Sequence, residues 1–235
     1  EYVVVSIFVN STQFAPGEDF EKYPRPISGD IKMLKATKNC DCLFTPDNAL
    51  MYPDDYATYI QVENDMPKCL CGVTRPIHFK GVTTVISKFL NIINPDRIYF
   101  GQKDAQQSII VTKMVKDMNY AAEVVVCPIF REKDGLALSS RNIYLTPEQR
   151  NTAPVLNKTL QMAESMIELG ERSCEVIKKE MRRKLKEGNV VIDYVETVDF
   201  VTLKPVDKIA GKVLIAAAIY VGKTRLIDNT IVDIK

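Results

Sequence analysis

Histidine is almost missing from this chain: His78 is the only one in 235 residues. Six cysteines are present (Cys40, Cys42, Cys69, Cys71, Cys127 and Cys174), but the two C-x-C pairs lack the C-x-x-C spacing of a zinc knuckle. With one imidazole to complement them, a thiol-based metal site is the lesser reading, and reduced, mostly buried thiols in a cytosolic protein the better one. A long chain with a large core does not need disulfides. Net charge is nearly missing too, at +1, so no global field points to nucleic acid or a membrane surface. Apolar runs stay far below the roughly 20 residues that span a bilayer. The longest, residues 213–221, reads as a strand. A secretory signal at the amino end is also missing. These absences direct expectation to a cytoplasmic protein without nucleic-acid or membrane partners.

What is there is a globular composition, 46% apolar and 26% charged, able to bury a sizeable core. The chain opens on Tyr2-Val3-Val4-Val5-Ser6-Ile7-Phe8-Val9, which has the character of a buried strand. Such an opening suggests a truncated, partial or processed chain. Beyond it, the pattern predicts a helix over residues 28–39 with Ser28 as N-cap, and a strand over 41–44. Val82, Val85, Ile86, Phe89, Leu90 and Ile93 fall on one face of a helix over 78–93. A strand over 97–100, a helix over 104–118 and a strand over 123–127 follow. Strands alternating with helices predict an α/β parallel sheet with helices on both faces. Ligands then sit beyond the carboxyl ends of the strands. Near residue 130 the pattern changes. The Asp134-Gly135 turn signal, one helix over 147–169 capped by Thr146, another over 175–187, and strands near 191–201, 212–221 and 224–231 read as a small α+β domain.

Four segments could carry chemistry. Gly101-Gln102-Lys103-Asp104 sits between a strand and a helix. Free N–H groups, the helix dipole and the Lys103 charge make it a plausible phosphate site; the plainer reading is a turn with Asp104 as N-cap. Leu138-Ser139-Ser140-Arg141-Asn142 offers hydroxyls and a guanidinium that suit a polyphosphate, or is a solvated loop. Asn10 and Gln13 follow the first strand, with Gln107 one turn into the helix after Lys103. Their amides suit a ligand bearing hydroxyls and a carboxylate, or serve the turn before Pro16-Gly17. Arg75 could bind a carboxylate, whereas a lone His78 at a helix start is more often structural.

Taken in order, these segments resemble the pantothenate synthetase family of the nucleotidyltransferase superfamily. The matching runs include Val4–Asn10 with Gln13-Phe14, Tyr23-Pro24-Arg25, Met51-Tyr52-Pro53, and Arg75-Pro76 with His78-Phe79 and Gly81-Val82. They continue in Tyr99–Asp104 with Gln106-Gln107, Asp134–Asn142, Tyr144-Leu145 and Arg225–Asn229. The resemblance implies a Rossmann-like domain, incomplete at its amino end, over residues 1–130, and an α+β lid domain over 131–235. It implies condensation of pantoate with β-alanine through a pantoyl adenylate, with ATP and Mg2+, in a homodimer. By the same resemblance Asn10, Gln13 and Gln107 hold pantoate, and Gly101, Lys103 and Asp104 bind ATP. Leu138, Ser139, Ser140 and Arg141 close on the triphosphate like a KMSKS loop, with Lys103, Ser139, Ser140 and Arg141 as the catalytic set. Tyr23 and Arg75 assist β-alanine or closure, and the backbone near Phe130 borders adenine.

The family normally begins with another strand, a P-T-M-G turn and an H-x-G-H motif, none of which occurs in this sequence. A chain beginning at Glu1 would lose a central strand, and its activity alone is expected to be low. The alternative is a binding or assembly subunit that kept the fold without the chemistry.

Overall fold

The computed structural model describes residues 1–234. Strand β1 (Val4–Ser6) runs parallel to β2 (Cys42–Phe44), with helix α1 (Ile27–Thr37) between them in the chain. β2 offers only three partners, so the strand expected over residues 2–9 is trimmed to its middle. Helix α1 starts earlier than expected. Pro26 takes the N-cap position and Ser28 falls inside the first turn, with no side-chain cap bond. Proline's fixed φ and missing N–H suit that position.

After the short helices α2 (Asn48–Met51) and α3 (Cys71–Thr74) comes helix α4 (His78–Ile93), with the bounds its apolar spacing predicts. Strand β3 (Arg97–Gly101) then runs parallel to β4 (Glu123–Cys127) across helix α5 (Ala105–Asp117). α4 serves both strand pairs. Val82 and Leu90 cluster with Val111 and Met114 of α5, while Val85 and Phe89 meet Phe8 and Phe44 beside β1 and β2. Thr83 is buried on the same helix, and its hydroxyl donates to the Ile60 carbonyl at 2.6 Å, so its burial leaves no polar group unpaired.

The parallel strands form two separate pairs, in keeping with the α/β parallel sheet expected to lack a central strand. Among the described residues no strand lies between β1 and β3, although Glu1 reaches Arg97 at 3.6 Å. Along β3, Ile98 and Phe100 pack inward while Tyr99 is 59% exposed. That is the alternation of a strand covered on one face, where covering on both was expected.

In the second half, α6 (Pro147–Thr152) opens on a capping box in which Thr146 and Gln149 satisfy each other's N–H groups. The single helix expected over 147–169 is two, because α7 (Val155–Glu168) starts afresh at Pro154. Proline has no N–H for the helical ladder, and its ring crowds the carbonyl four residues back. Helix α8 (Cys174–Glu187) is capped by Ser173 and ends at Gly188. Strands β5 (Val191–Asp199), β6 (Gly211–Val221) and β7 (Thr224–Ile234) form an antiparallel sheet with β6 central. The alternation of β6 joins the halves. Val213, Ile215, Ala217 and Ile219 face α7 and α8, while Leu214 and Ala216 pack with Leu70, Phe79 and Ile110. Among the described residues no helix is long and apolar enough to cross a membrane.

Candidate active site

A cleft of about 650 Å³ draws its lining from both halves. Gln13, Tyr23, Arg75, Lys103, Asp104 and Gln107 come from the first half, and Leu138 to Arg141 from the second. Ten of the thirteen expected site residues are therefore brought together; Asn10, Gly101 and Phe130 are not in the lining.

Gln13 ends a 3₁₀ turn, Ser11–Gln13, just beyond β1. Helix α4 presses against that turn at Gly81, where a Cβ would stand 2.4 Å from the Thr12 carbonyl oxygen. Asn10 lies beneath the turn, 3% exposed. Its Nδ2 donates to the Gly81 carbonyl (3.1 Å) and to Gln13 Oε1 (3.2 Å). Its Oδ1 accepts from the Tyr52 hydroxyl (2.7 Å) and the Thr12 hydroxyl (3.0 Å). With these four bonds Asn10 ties Gln13 to helix α4 at the edge of the cleft.

Arg75 donates to Glu18 Oε2 from Nε (3.0 Å) and Nη2 (2.6 Å), and to His78 Nε2 from Nη1 at 3.2 Å. The other ring nitrogen, His78 Nδ1, faces the Gln13 carbonyl at 3.0 Å. A carbonyl only accepts and a guanidinium only donates, so the proton sits on Nδ1 and the ring is neutral. Burial first, and the Arg75 charge second, push the His78 pKa down to about 4. The single histidine is thus part of the scaffold, as expected.

Gly101 has an extended φ of −79°, and a Cβ there would meet nothing within 4 Å. Asp104 occupies the N-cap position of α5 without making a cap bond; its carboxylate lies 3.6 Å from Lys103 Nζ instead. The two adjacent glutamines divide their work. Gln106 Nε2 donates to the Met66 (2.9 Å) and Cys69 (2.7 Å) carbonyls, and Oε1 accepts from the Cys71 N–H at 3.0 Å. Among the described residues the Gln107 side chain has no such partner, and it opens on the cleft.

The second half presents its loop from a tight turn. Gly135 has φ +91°, and a Cβ there would stand 2.3 Å from the Asn157 amide nitrogen. Arg131 pairs across the turn with Ala137 and holds Asp228 through two bonds, of 2.6 and 3.0 Å. Phe130 is 74% exposed, and its carbonyl accepts from the Leu138 N–H at 2.9 Å. The Ser139 hydroxyl then accepts from the Arg141 N–H at 3.3 Å and starts the 3₁₀ turn Ser140–Tyr144.

Several contributors carried no local signal. Asp19 meets Arg141, Glu18 meets Arg75, and Asn229 holds the Lys103 turn. Glu18 and Asp19 are two acids in an aperiodic loop. Only Asp228 and Asn229 lay inside a segment marked by resemblance, and that gave them no role.

The family model described as pantoate-beta-alanine ligase matches residues 1–231. A pantothenate synthetase of Acetivibrio thermocellus is 52% identical over 235 residues, covering 100% of this chain and 83% of that protein. One from Thermotoga petrophila is 53% identical over 232 residues, covering 98% of this chain and 82% of that protein. A solved pantothenate synthetase from Thermus thermophilus superposes with a TM-score of 0.94 at 39% identity, over 97% of this chain and 83% of that one. A pantoate-beta-alanine ligase from Francisella tularensis, complexed with beta-gamma ATP and beta-alanine, gives 0.79 at 33% identity, over 98% of this chain and 79% of that one. The chain belongs to the pantoate–β-alanine ligase family.

Proposed function

We propose that this chain condenses pantoate with β-alanine using ATP, through a pantoyl-adenylate intermediate, releasing pyrophosphate and then AMP. One observation carries the reading: the amides of Gln13 and Gln107 share a single cleft with the cations Lys103 and Arg141. Amides suit the hydroxyls and carboxylate of pantoate, and the cations suit a triphosphate. Family membership supports the same reading.

In the first step a carboxylate oxygen of pantoate attacks the α-phosphorus and pyrophosphate leaves. Negative charge grows on the phosphate oxygens, so fixed cations and N–H groups lower the barrier. Lys103 is assigned to the phosphates, with Gly101 and Asp104 shaping the turn beneath them. Ser139, Ser140 and Arg141, following Leu138, close over the triphosphate. The backbone at Phe130 is the candidate border for adenine. In the second step the β-alanine amine attacks the activated carbonyl and AMP leaves. Placing the amine beside the adenylate supplies much of the rate, and a closed loop keeps water from the adenylate. Tyr23 and Arg75 are assigned to β-alanine or to closure. Asn10 holds Gln13, and His78 holds Gln13 and Arg75. Magnesium enters as part of the nucleotide substrate, bound mainly through phosphates as this ion usually is.

The division of labour falls at about residue 130, with substrate binding before it and the lid after it. The same reading makes the protein a cytoplasmic homodimer, which light scattering at micromolar concentration would check. The family's H-x-G-H histidines are not among these 235 residues. In this reading the phosphate charge is met by Lys103 and Arg141 of the cleft. Incubation with ATP, magnesium, pantoate and β-alanine, followed by mass spectrometry, should show pantothenate formed in step with AMP. AMP formed without pantothenate would defeat the reading.

A further inference from the structure

Two loops meet over the cleft. One, residues 14–26, leads away from Gln13; the other, residues 138–145, carries Arg141. Asp19 takes the Arg141 guanidinium from the side, with Nε donating to Oδ2 and Nη2 donating to Oδ1, each at 2.8 Å. The guanidinium carbon lies 5.1 Å from the centre of the Tyr23 ring. Around this pair the Tyr23 and Ser140 hydroxyls hydrogen-bond at 2.8 Å, and the Tyr144 hydroxyl donates to the Lys22 carbonyl at 2.8 Å. Asp19 and Arg141 stand 122 residues apart in sequence, and their side chains are only 27% and 28% exposed.

A guanidinium has five N–H donors in a rigid plane. A side-on carboxylate uses Nε and one donor of Nη2. That leaves Nη1, which has no protein partner among the described residues, and the outer donor of Nη2. These form the second edge, which matches two phosphate oxygens. Asp19 therefore need not be displaced for Arg141 to take phosphate; it fixes the plane of the fork and leaves an edge free. Burial alone would raise the Asp19 pKa, but the Arg141 hydrogen bonds and charge outweigh it and hold the carboxyl below the usual range.

We propose that Asp19 is a positioning residue: it aims Arg141 at the triphosphate and latches the loop beyond Gln13 to the loop over the nucleotide. The assignment to triphosphate rests on the functional reading above; the latch does not. Asp19→Asn keeps the shape and removes the charge. It is compared with Arg141→Ala, with the double variant and with Asp19→Glu, all checked for native unfolding midpoints.

Without ligand, amide hydrogen exchange is expected to rise in both loops in Asp19→Asn, to the level of Arg141→Ala, with no further rise in the double variant. Unchanged exchange in residues 138–145 overturns the latch. In pantoate-dependent pyrophosphate release, Asp19→Asn is expected to lower kcat about tenfold or more, as small misplacements do, with the KM for pantoate changed less than about twofold. Asp19→Glu should recover part of the loss, and Asp19→Asn should cost nothing further once Arg141 is alanine. Independent, multiplying losses would overturn the positioning role. If no variant and no parent releases pyrophosphate, the functional reading fails while the exchange result still decides the latch.

Discussion

The side-chain amide of Asn229 donates to the carbonyls of both Gln102, at 2.9 Å, and Lys103, at 3.0 Å. Asn229 lies on β7, so the last strand of the second half fixes the turn from which Lys103 of the first half enters the cleft. Its neighbour Asp228, 3% exposed, accepts both bonds from Arg131 at the root of the other loop. Two consecutive residues thus set the positions of both cationic segments.

Replacing Asn229 with alanine leaves two carbonyls without that partner. A cost of about 1 kcal/mol is expected for these partly buried acceptors, read in chemical denaturation. The KM for ATP should rise as well, because the Lys103 turn loosens. An unchanged KM with lowered stability would confine Asn229 to a structural role.

Lys103→Met separates chemistry from folding in the opposite sense. The pair with Asp104 is long, at 3.6 Å, and pairs of that kind contribute little. The unfolding midpoint should therefore shift by no more than about 3 °C. Turnover should fall about 100- to 1000-fold, the usual loss when a group facing developing charge is removed.

The His78 pKa, lowered to about 4 from 6.5, makes stability depend on pH. Between those values the unfolded chain binds a proton that the folded chain refuses, so stability is full above pH 6.5 and is lost as pH falls toward 4. The loss is on the order of 3 kcal/mol. Urea titrations from about pH 7 to about pH 4.5 should show the slope, and His78→Gln should flatten it. The depressed carboxyls of Asp19, Glu132 and Asp134 act in a lower window, because their ordinary values are 3.8, 4.5 and 3.8.

Periodic features were the legible ones. The apolar face of α4 and the alternation of β6 fix their own elements, and Thr146 with Gln149 marks a helix start within four residues. The break at Pro154 was legible in principle, but the apolar spacing through it outweighed the proline. Ser28 looked like a cap although Pro26 set the helix start two residues earlier. The grouping of Lys103 with Ser139, Ser140 and Arg141 could be read from resemblance. The Asp19–Arg141 pair could not, since nothing local in an aperiodic loop points to a partner 122 residues away. The use of Asn10 was equally hidden: an amide suited to a ligand is equally suited to Gly81, Thr12 and Tyr52.

The central claim, that pantoate is activated as an adenylate in this cleft, is tested most directly by ATP–pyrophosphate exchange without β-alanine. Labelled pyrophosphate should enter ATP only when pantoate is present. Lys103→Met should slow it about 100- to 1000-fold. Exchange that ignores pantoate, or that is absent, would contradict the account.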